Sequence, residues 1–227
     1  MLYLVATPIG NLEDITLRAV RILGEVDLIL CEDTRKTGLL LQHFNIKKPL
    51  ISFFEHNELR KIPQVVEGLK KEQNIALVSS AGTPTISDPG YKLIRECRKQ
   101  NLPVTSLPGA SSLINAIALT SLPHEKFVFL GYLPRKKSAC QRLLEEVKGW
   151  EVTVVFLESP YRLIKSLGII REVFGNRKVA VAREMTKKFE EIREASPGDL
   201  LAYFSSKPPK GEMVVIIPGQ EPAERHK

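Results

Sequence analysis

A chain of 227 residues, 43% of them hydrophobic, can bury a full core, and its length admits one large domain or two smaller ones. Lys+Arg 33 against Asp+Glu 26 leaves a net charge of +7 at pH 7, which favours a polyanionic partner, nucleic acid first among them. The scattered Cys31, Cys97 and Cys140 exclude a disulfide framework, and no stretch has the roughly 18 apolar residues of a membrane span.

Residues 2–6 form a short apolar run, predicted as a buried strand, that breaks at the turn residues Thr7-Pro8-Ile9-Gly10-Asn11. The run is too short, and lacks the basic flank, for a secretory signal, so the protein is expected in the cytoplasm. Thr16 is placed to cap a helix through residue 26. A second strand over 27–31 ends in Glu32-Asp33-Thr34-Arg35, and a helix follows to about residue 44. A third strand over 49–53 ends in Phe54-Glu55-His56-Asn57-Glu58, ahead of an amphipathic helix over 61–71. The apolar run 75–78 then enters residues 79–90, SSAGTPTISDPG. This is long against the usual strand-to-helix loop of about 2–6 residues. Its Gly and Pro allow close approach to a ligand with a fixed loop shape, and it leaves the carboxyl end of a strand, where ligands bind in open α/β sheets.

A helix over 91–100, a strand over 104–107, the turn Pro108-Gly109-Ala110-Ser111-Ser112 and a helix over 113–119 follow. The last of these is apolar nearly all round and is expected to be buried. The aperiodic stretch 120–126 marks a domain boundary, giving an N-terminal α/β domain over 1–120 and a C-terminal one over 121–227. In the second domain, strands are predicted over 127–131, 152–157, 179–182 and 213–217. Helices are predicted over 143–148, up to about 174, and near 199–204, with a polar stretch before the last and a frayed tail from residue 218. The alternation indicates an α/β fold with parallel strands and loops gathered at one edge.

Neither a Rossmann fingerprint nor a phosphate-cradling nucleotide loop is present, nor a G-x-S-x-G elbow. His43, His56, His124 and His226 have no metal-ligand spacing. The loops TPIGN, SSAGTPTISDPG and PGASS are neutral, small-residue segments suited to holding a ligand through backbone groups. Other strand ends are charged: Glu32, Asp33, Arg35, Glu55, His56, Glu158, Arg162, Arg183, Glu184 and Lys187. Each alone reads as a structural ion pair; as a set they suit a polar substrate. Arg35, Arg135, Lys136, Lys137, Arg162, Arg183, Lys187 and Lys188 are candidate phosphate contacts, and Phe54, Tyr132 and Tyr161 are candidate stacking surfaces for an unpaired base.

In order along residues 2–191 stand LYLVATPIGNLEDITLRAVRIL, CEDTRKTGLLL, SAGTPTISDPG, LPGASS, FVFLGYLPRKK, ESPYRL and REMTKKFEE. This set closely resembles the ribosomal RNA small subunit methyltransferase I family of the tetrapyrrole methylase superfamily, bacterial cytidine 2′-O-methyltransferases of 16S ribosomal RNA. The resemblance implies two α/β domains with S-adenosylmethionine in the cleft between them, a homodimer, and methylation of a ribose hydroxyl in the decoding region of an assembled small subunit. It maps the cofactor loops onto Pro8, Ile9 and Gly10, onto Ala81, Gly82, Thr83 and Pro84, onto Ser111 and Ser112, and in the second domain onto Leu157 and Met213. Two positions depart from the family pattern. Ser80 stands where SDAGTP often has a carboxylate, and Ser121 where a Gly often precedes Leu-Pro.

Transfer from a sulfonium to a hydroxyl needs positioning first and a general base second. The candidates for base are Asp33, His56 and Glu184, with Lys187 or Arg35 holding phosphate or the developing alkoxide. Two rival readings keep the fold: a small-molecule methylase of tetrapyrrole type, and a non-catalytic RNA-binding assembly protein.

Overall fold

The computed structural model describes residues 1–220; the expected frayed tail beyond Gln220 and His226 lie outside the described residues. The chain divides into two compact units, 1–111 and 112–227.

The first unit is a five-stranded sheet in the order β3-β2-β4-β1-β5, built from β1 (Leu2–Val5), β2 (Leu28–Cys31), β3 (Leu50–Ser52), β4 (Ile75–Val78) and β5 (Val104–Leu107). Every pairing is parallel, as predicted. Strands buried on both faces read as unbroken apolar runs, and β4 (IALV) is buried throughout. Successive residues serve opposite layers. Leu2, Leu4, Leu30, Ile75 and Leu77 pack with α3 (Glu58–Lys70) and α4 (Tyr91–Lys99). Val5, Ile29, Cys31, Ala76 and Val78 pack with α1 (Leu17–Glu25) and α2 (Thr34–His43).

The order and the two layers follow from right-handed crossovers. From β1 to β3 the chain moves one way along the sheet, placing α1 and α2 on one face. It then reverses, placing α3 and α4 on the other. β4 therefore lies between β1 and β2, whose helices leave to the opposite face. The loops part at this strand, and this is where an open α/β sheet forms its ligand crevice.

The second unit is also five-stranded, in the order β6-β7-β10-β8-β9: β6 (Phe127–Tyr132), β7 (Thr153–Glu158), β8 (Val179–Arg183), β9 (Glu191–Ala195) and β10 (Met213–Ile217). Here the expectation of parallel strands is corrected. β6 and β7 are parallel, but β10 runs antiparallel to both β7 and β8, and β9 antiparallel to β8. The polar stretch before the last helix contains β9 (EIREA), hidden in the sequence because an edge strand with charged side chains lacks an apolar run. Val154, Phe156, Val179, Val181, Val215 and Ile217 face α6 (Lys137–Val147), α7 (Leu163–Phe174) and α8 (Pro197–Ser206).

The helix α5 (Ser112–Leu119) packs on β7 and β10 within the second unit. It is not buried all round as expected. Ala116 and Ile117 are buried, whereas Ile114 and Leu119 are more than half exposed. One face of an eight-residue helix suffices for that packing, and the other is left open. The 120–126 pause after it is fastened by Glu194 of β9, which accepts from the Thr120 hydroxyl (2.8 Å), the Ser121 N–H (2.6 Å) and the Ser121 hydroxyl, and pairs with Lys178 at 3.2 Å.

Candidate functional site

In the first unit the neutral loops converge. Thr7 and Gly82 exchange backbone hydrogen bonds of 3.0 and 2.9 Å, bridging the loop after β1 to the loop after β4. Gly82 adopts φ +81°, which glycine reaches without penalty. The Thr7 hydroxyl donates to Ser79 O at 3.2 Å, and the Thr83 hydroxyl to Ala110 O at 3.2 Å, which adds the loop after β5. A Cβ on Gly109 would lie 2.6 Å from the Ala6 Cβ, so only glycine permits this loop to lie on the end of β1. Pro8–Gly10, Ala81–Pro84 and Ser111 are thus brought onto one sheet edge. A cavity of about 200 Å³ beside them is lined by Thr7, Pro8, Ser79, Ser80 and residues of α2.

The first unit has a second, larger cavity of about 450 Å³ at the same edge. His56, Glu32, Glu55, Phe54, Asp88 and Tyr91 line it, and so does the ion pair of Glu58 with Lys92 (2.7 Å). Glu58 is 4% exposed. A buried carboxylate persists only with such a partner, and this pair joins the first turns of α3 and α4 under the cavity. The sequence alone places Glu58 in a loop and Tyr91 and Lys92 merely at a helix start. The FEHNE run is the signal that this strand end carries charge.

At Ser80, where the family pattern often has a carboxylate, the hydroxyl donates to Glu32 Oε2 at 2.7 Å. Asp33 is the N-cap of α2. Its carboxylate accepts from the N–H groups of Arg35 (2.9 Å) and Lys36 (3.3 Å), and lies 3.5 Å from the Arg35 guanidinium. The Arg35 N–H bond is the main reason its pKa is held below the usual carboxylate value. Arg35 is otherwise in solvent. Neither Asp33 nor Arg35 lines the His56 cavity.

The positive-φ residues fall into two groups, helix ends and strand-end loops. Asn45, Glu72 and Asn101 have positive φ but lie just past helices, where the following N–H bonds back into the last turn, an ordinary left-handed stop. Thr85 (φ +75°) and Ser87 (φ +63°) lie in the SSAGTPTISDPG loop, and Glu184 (φ +52°) and Thr186 (φ +65°) in the loop after β8. Non-glycine residues held there cost on the order of 1–3 kcal/mol each and concentrate at binding and catalytic sites.

In the second unit the antiparallel β10 begins at the edge where β7 and β8 end. Met213 pairs with Glu158 and Arg183, and Val214 with Leu157. Leu157, Met213, Glu184 and Lys187 therefore share one edge. Met213 is 1% exposed with its side chain in the core, so the side chain is not open at that edge. Glu184 pairs with Lys187 at 2.9 Å, and its N–H donates to Glu212 O at 3.3 Å. Gly211 gives it room, since a Cβ there would overlap the Glu184 carboxylate. Arg183 is held by Glu191 at 2.6 Å. Glu158 is buried and fully engaged: Oε1 accepts from Ser159 N–H (2.8 Å) and lies 3.4 Å from Arg162 Nε, and Oε2 accepts from the Ser166 hydroxyl. Both Leu157 and the Ser111–Ser112 turn are half-buried.

Among the described residues no helix is long and apolar enough to cross a membrane. The family model for Tetrapyrrole (Corrin/Porphyrin) Methylases matches residues 1–201. The ribosomal RNA small subunit methyltransferase I of Thermotoga maritima is 47% identical over 220 residues, covering 97% of this chain and 99% of that protein. The protein of the same name from Escherichia coli O157:H7 is 46% identical over 226 residues, covering 98% and 79%. Two solved structures share the fold. A cobalt precorrin-4 methyltransferase superposes with a TM-score of 0.68 at 14% identity, covering 96% of this chain and 94% of that one. The uroporphyrin-III C-methyltransferase of Thermus thermophilus superposes with 0.65 at 17% identity, covering 96% and 97%. With its doubly layered first sheet, its glycine-dependent loop crossing and this full-length identity, the chain belongs to the tetrapyrrole methylases and, within them, to the ribosomal RNA small subunit methyltransferase I family.

Proposed function

We propose that this enzyme transfers the methyl group of S-adenosylmethionine to the ribose 2′-hydroxyl of a decoding-region cytidine in 16S ribosomal RNA, acting in the cytoplasm as a homodimer on the small subunit. The observation that carries the reading is 47% identity across essentially the whole length of a protein named for small-subunit ribosomal RNA methylation. The net charge of +7 supports an RNA acceptor over a small acidic one.

The residues present fit the cofactor. The crossing of the Thr7 and Gly82 loops and the close packing of Gly109 on Ala6 present a neutral edge of backbone groups beside the 200 Å³ cavity. Pro8, Ile9 and Gly10, Ala81 through Pro84, and Ser111 and Ser112 are the residues proposed to hold it; Leu157 and Met213 are proposed on the family resemblance alone. When bound, S-adenosylmethionine supplies an electrophilic methyl on a sulfonium, so the chain's work is placing the hydroxyl and taking its proton.

Of the three base candidates, Asp33 is committed to its helix cap and has a depressed pKa, which makes it a poor proton acceptor. His56 lines the 450 Å³ cavity, and its imidazole is the group proposed to accept the hydroxyl proton. Glu184 orients Lys187, whose ammonium is proposed to stabilise phosphate or the developing alkoxide; Arg35, extended into solvent, is the second candidate for that role. The test is tritiated S-adenosylmethionine with small subunits from cells lacking the modification, followed by nucleoside digestion. Label in 2′-O-methylcytidine is the expected result. Label that enters only a small-molecule acceptor, or cofactor binding with no transfer, would sink the reading. His56→Ala should lower single-turnover methylation by about 10²-fold or more.

A further inference from the structure

Resting on the RNA acceptor just proposed, we infer that the loops after β6 and β7 form a rigid RNA-docking edge on which Tyr161 stacks an unpaired base while Arg135, Lys136 and Lys165 neutralise the flanking phosphates. Tyr161 is 96% exposed. Two other exposed aromatics already have a cation of their own, Arg95 lying 5.8 Å over Tyr91 and Lys188 5.8 Å from Phe189, and Tyr132 is only 50% exposed. Among the described residues no such cation covers Tyr161, and Phe54 is half-buried, so of the stacking candidates Tyr161 offers the most open ring.

The ring stands on a fixed base. Its neighbour Arg162 donates to Leu133 O (2.7 Å) and Pro134 O (3.3 Å), which ties the YLPRKK loop to the ESPYR loop. The same guanidinium pairs with Glu158, which is 1% exposed and also held by Ser159 and Ser166. This network holds the chain on both sides of Tyr161, whose ring stands exposed. Arg135 and Lys136 follow directly on the tied carbonyls, Lys165 lies in the first turn of α7, and all three are exposed. A flat exposed aromatic beside loops that carry exposed cations is what single-stranded RNA requires: stacking tolerates any base, and the cations follow the backbone.

The experiment compares wild type, Tyr161→Ala, Tyr161→Phe and the double variant Arg135→Ala/Lys136→Ala, each with S-adenosylmethionine, on unmodified small subunits. KM, kcat and the salt dependence of subunit binding are measured. Tyr161→Ala should raise the KM for subunits about tenfold with kcat changed less than twofold, and Tyr161→Phe should restore it, since stacking needs the ring and not the hydroxyl. The double variant should reduce the slope of log affinity against log salt by about 1–1.5, near 0.7 for each single-strand phosphate that is no longer neutralised. Unchanged KM in Tyr161→Ala, with wild type methylating subunits normally, overturns the docking edge alone. Wild type that neither binds nor methylates subunits overturns the acceptor reading, and this edge with it.

Discussion

The two units present the same β-loop-α alternation yet hold their loops by different physics. In the first, the neutral loops at the sheet edge are fixed through main-chain groups and the lack of a side chain: Thr7 exchanges backbone bonds with Gly82, the Thr83 hydroxyl donates to Ala110 O, and Gly109 lies on Ala6. In the second they are fixed by charge: Glu158 with Arg162, Arg183 with Glu191, Glu184 with Lys187. A neutral, backbone-lined edge suits a cofactor bound in one pose. An edge of paired charges exposes further cations to a polyanion while holding its own geometry. The difference predicts that substitutions at the neutral loops of the first unit register on cofactor affinity and those at the paired charges of the second on stability and acceptor binding.

The largest effect should come from Glu158→Ala. It leaves the Arg162 guanidinium and the Ser166 hydroxyl without their buried partner, a loss of about 3–5 kcal/mol when a buried pair is broken from one side. The sole tryptophan, Trp150, lies in the second unit, so urea unfolding followed by its fluorescence reads that unit. A Trp150 transition that does not move in Glu158→Ala would show that the network is not what holds the edge.

Next in size is an acid effect. Burial alone would raise the Glu194 pKa, but bonds from the Ser121 hydroxyl and N–H, the Thr120 hydroxyl and Lys178 outweigh it and bring it from 4.5 to about 2. A depressed carboxylate contributes stability that is fully present above pH 4.5 and lost as pH falls through 2. At about 1.4 kcal/mol per unit the contribution is roughly 3 kcal/mol. The stability gap between wild type and Glu194→Gln, read by Trp150 in urea at about pH 6, 4 and 3, should narrow steadily over that window. A constant gap would mean that the ionised carboxylate is not the source.

These contrasts also mark what the sequence disclosed. The first sheet was legible because strands buried on both faces are written as apolar runs, and turn residues mark their ends, so β4 and its loop stood out. The second was legible only in part. β10 reads as an apolar run whichever way it points, since direction is set by the partners it pairs with. β9 was lost because Glu191, Arg193 and Glu194 carry an edge strand in charges rather than in hydrophobic alternation. The neutral loops and the charged strand ends are both visible in the sequence, but not which charges are already committed. Glu158 and Asp33 look alike as polar residues after a strand, and only the fold reveals that one is a buried strut and the other a helix cap.

A smaller effect is expected at Gly109→Ala. The new methyl would meet the Ala6 Cβ at 2.6 Å, and with backbone on both sides neither can move freely, so about 1–3 kcal/mol of overpacking is expected. Calorimetry should show S-adenosylmethionine affinity falling about tenfold, while the Trp150 transition in the other unit stays in place. Equal losses at both would mean that the two edges are not independently built.

The smallest effect is the most informative about chemistry. Asp33 can be a base or a cap, and two substitutions separate the roles. Asparagine caps helices about as well as aspartate, whereas alanine loses about 0.5–2 kcal/mol. Asparagine is also useless as a base. If Asp33 works only through its bonds to the Arg35 and Lys36 N–H groups, Asp33→Asn should keep both stability and single-turnover methylation within a factor of about three, and Asp33→Ala should lose stability while its rate at saturating substrates stays close to wild type. If Asp33 instead takes the ribose proton, Asp33→Asn should be as stable as wild type and about 10²-fold or more slower. The bonds from Arg35 and Lys36 lower the carboxylate's affinity for a proton, which is the wrong direction for a base working near neutral pH, and so the first outcome is the expected one.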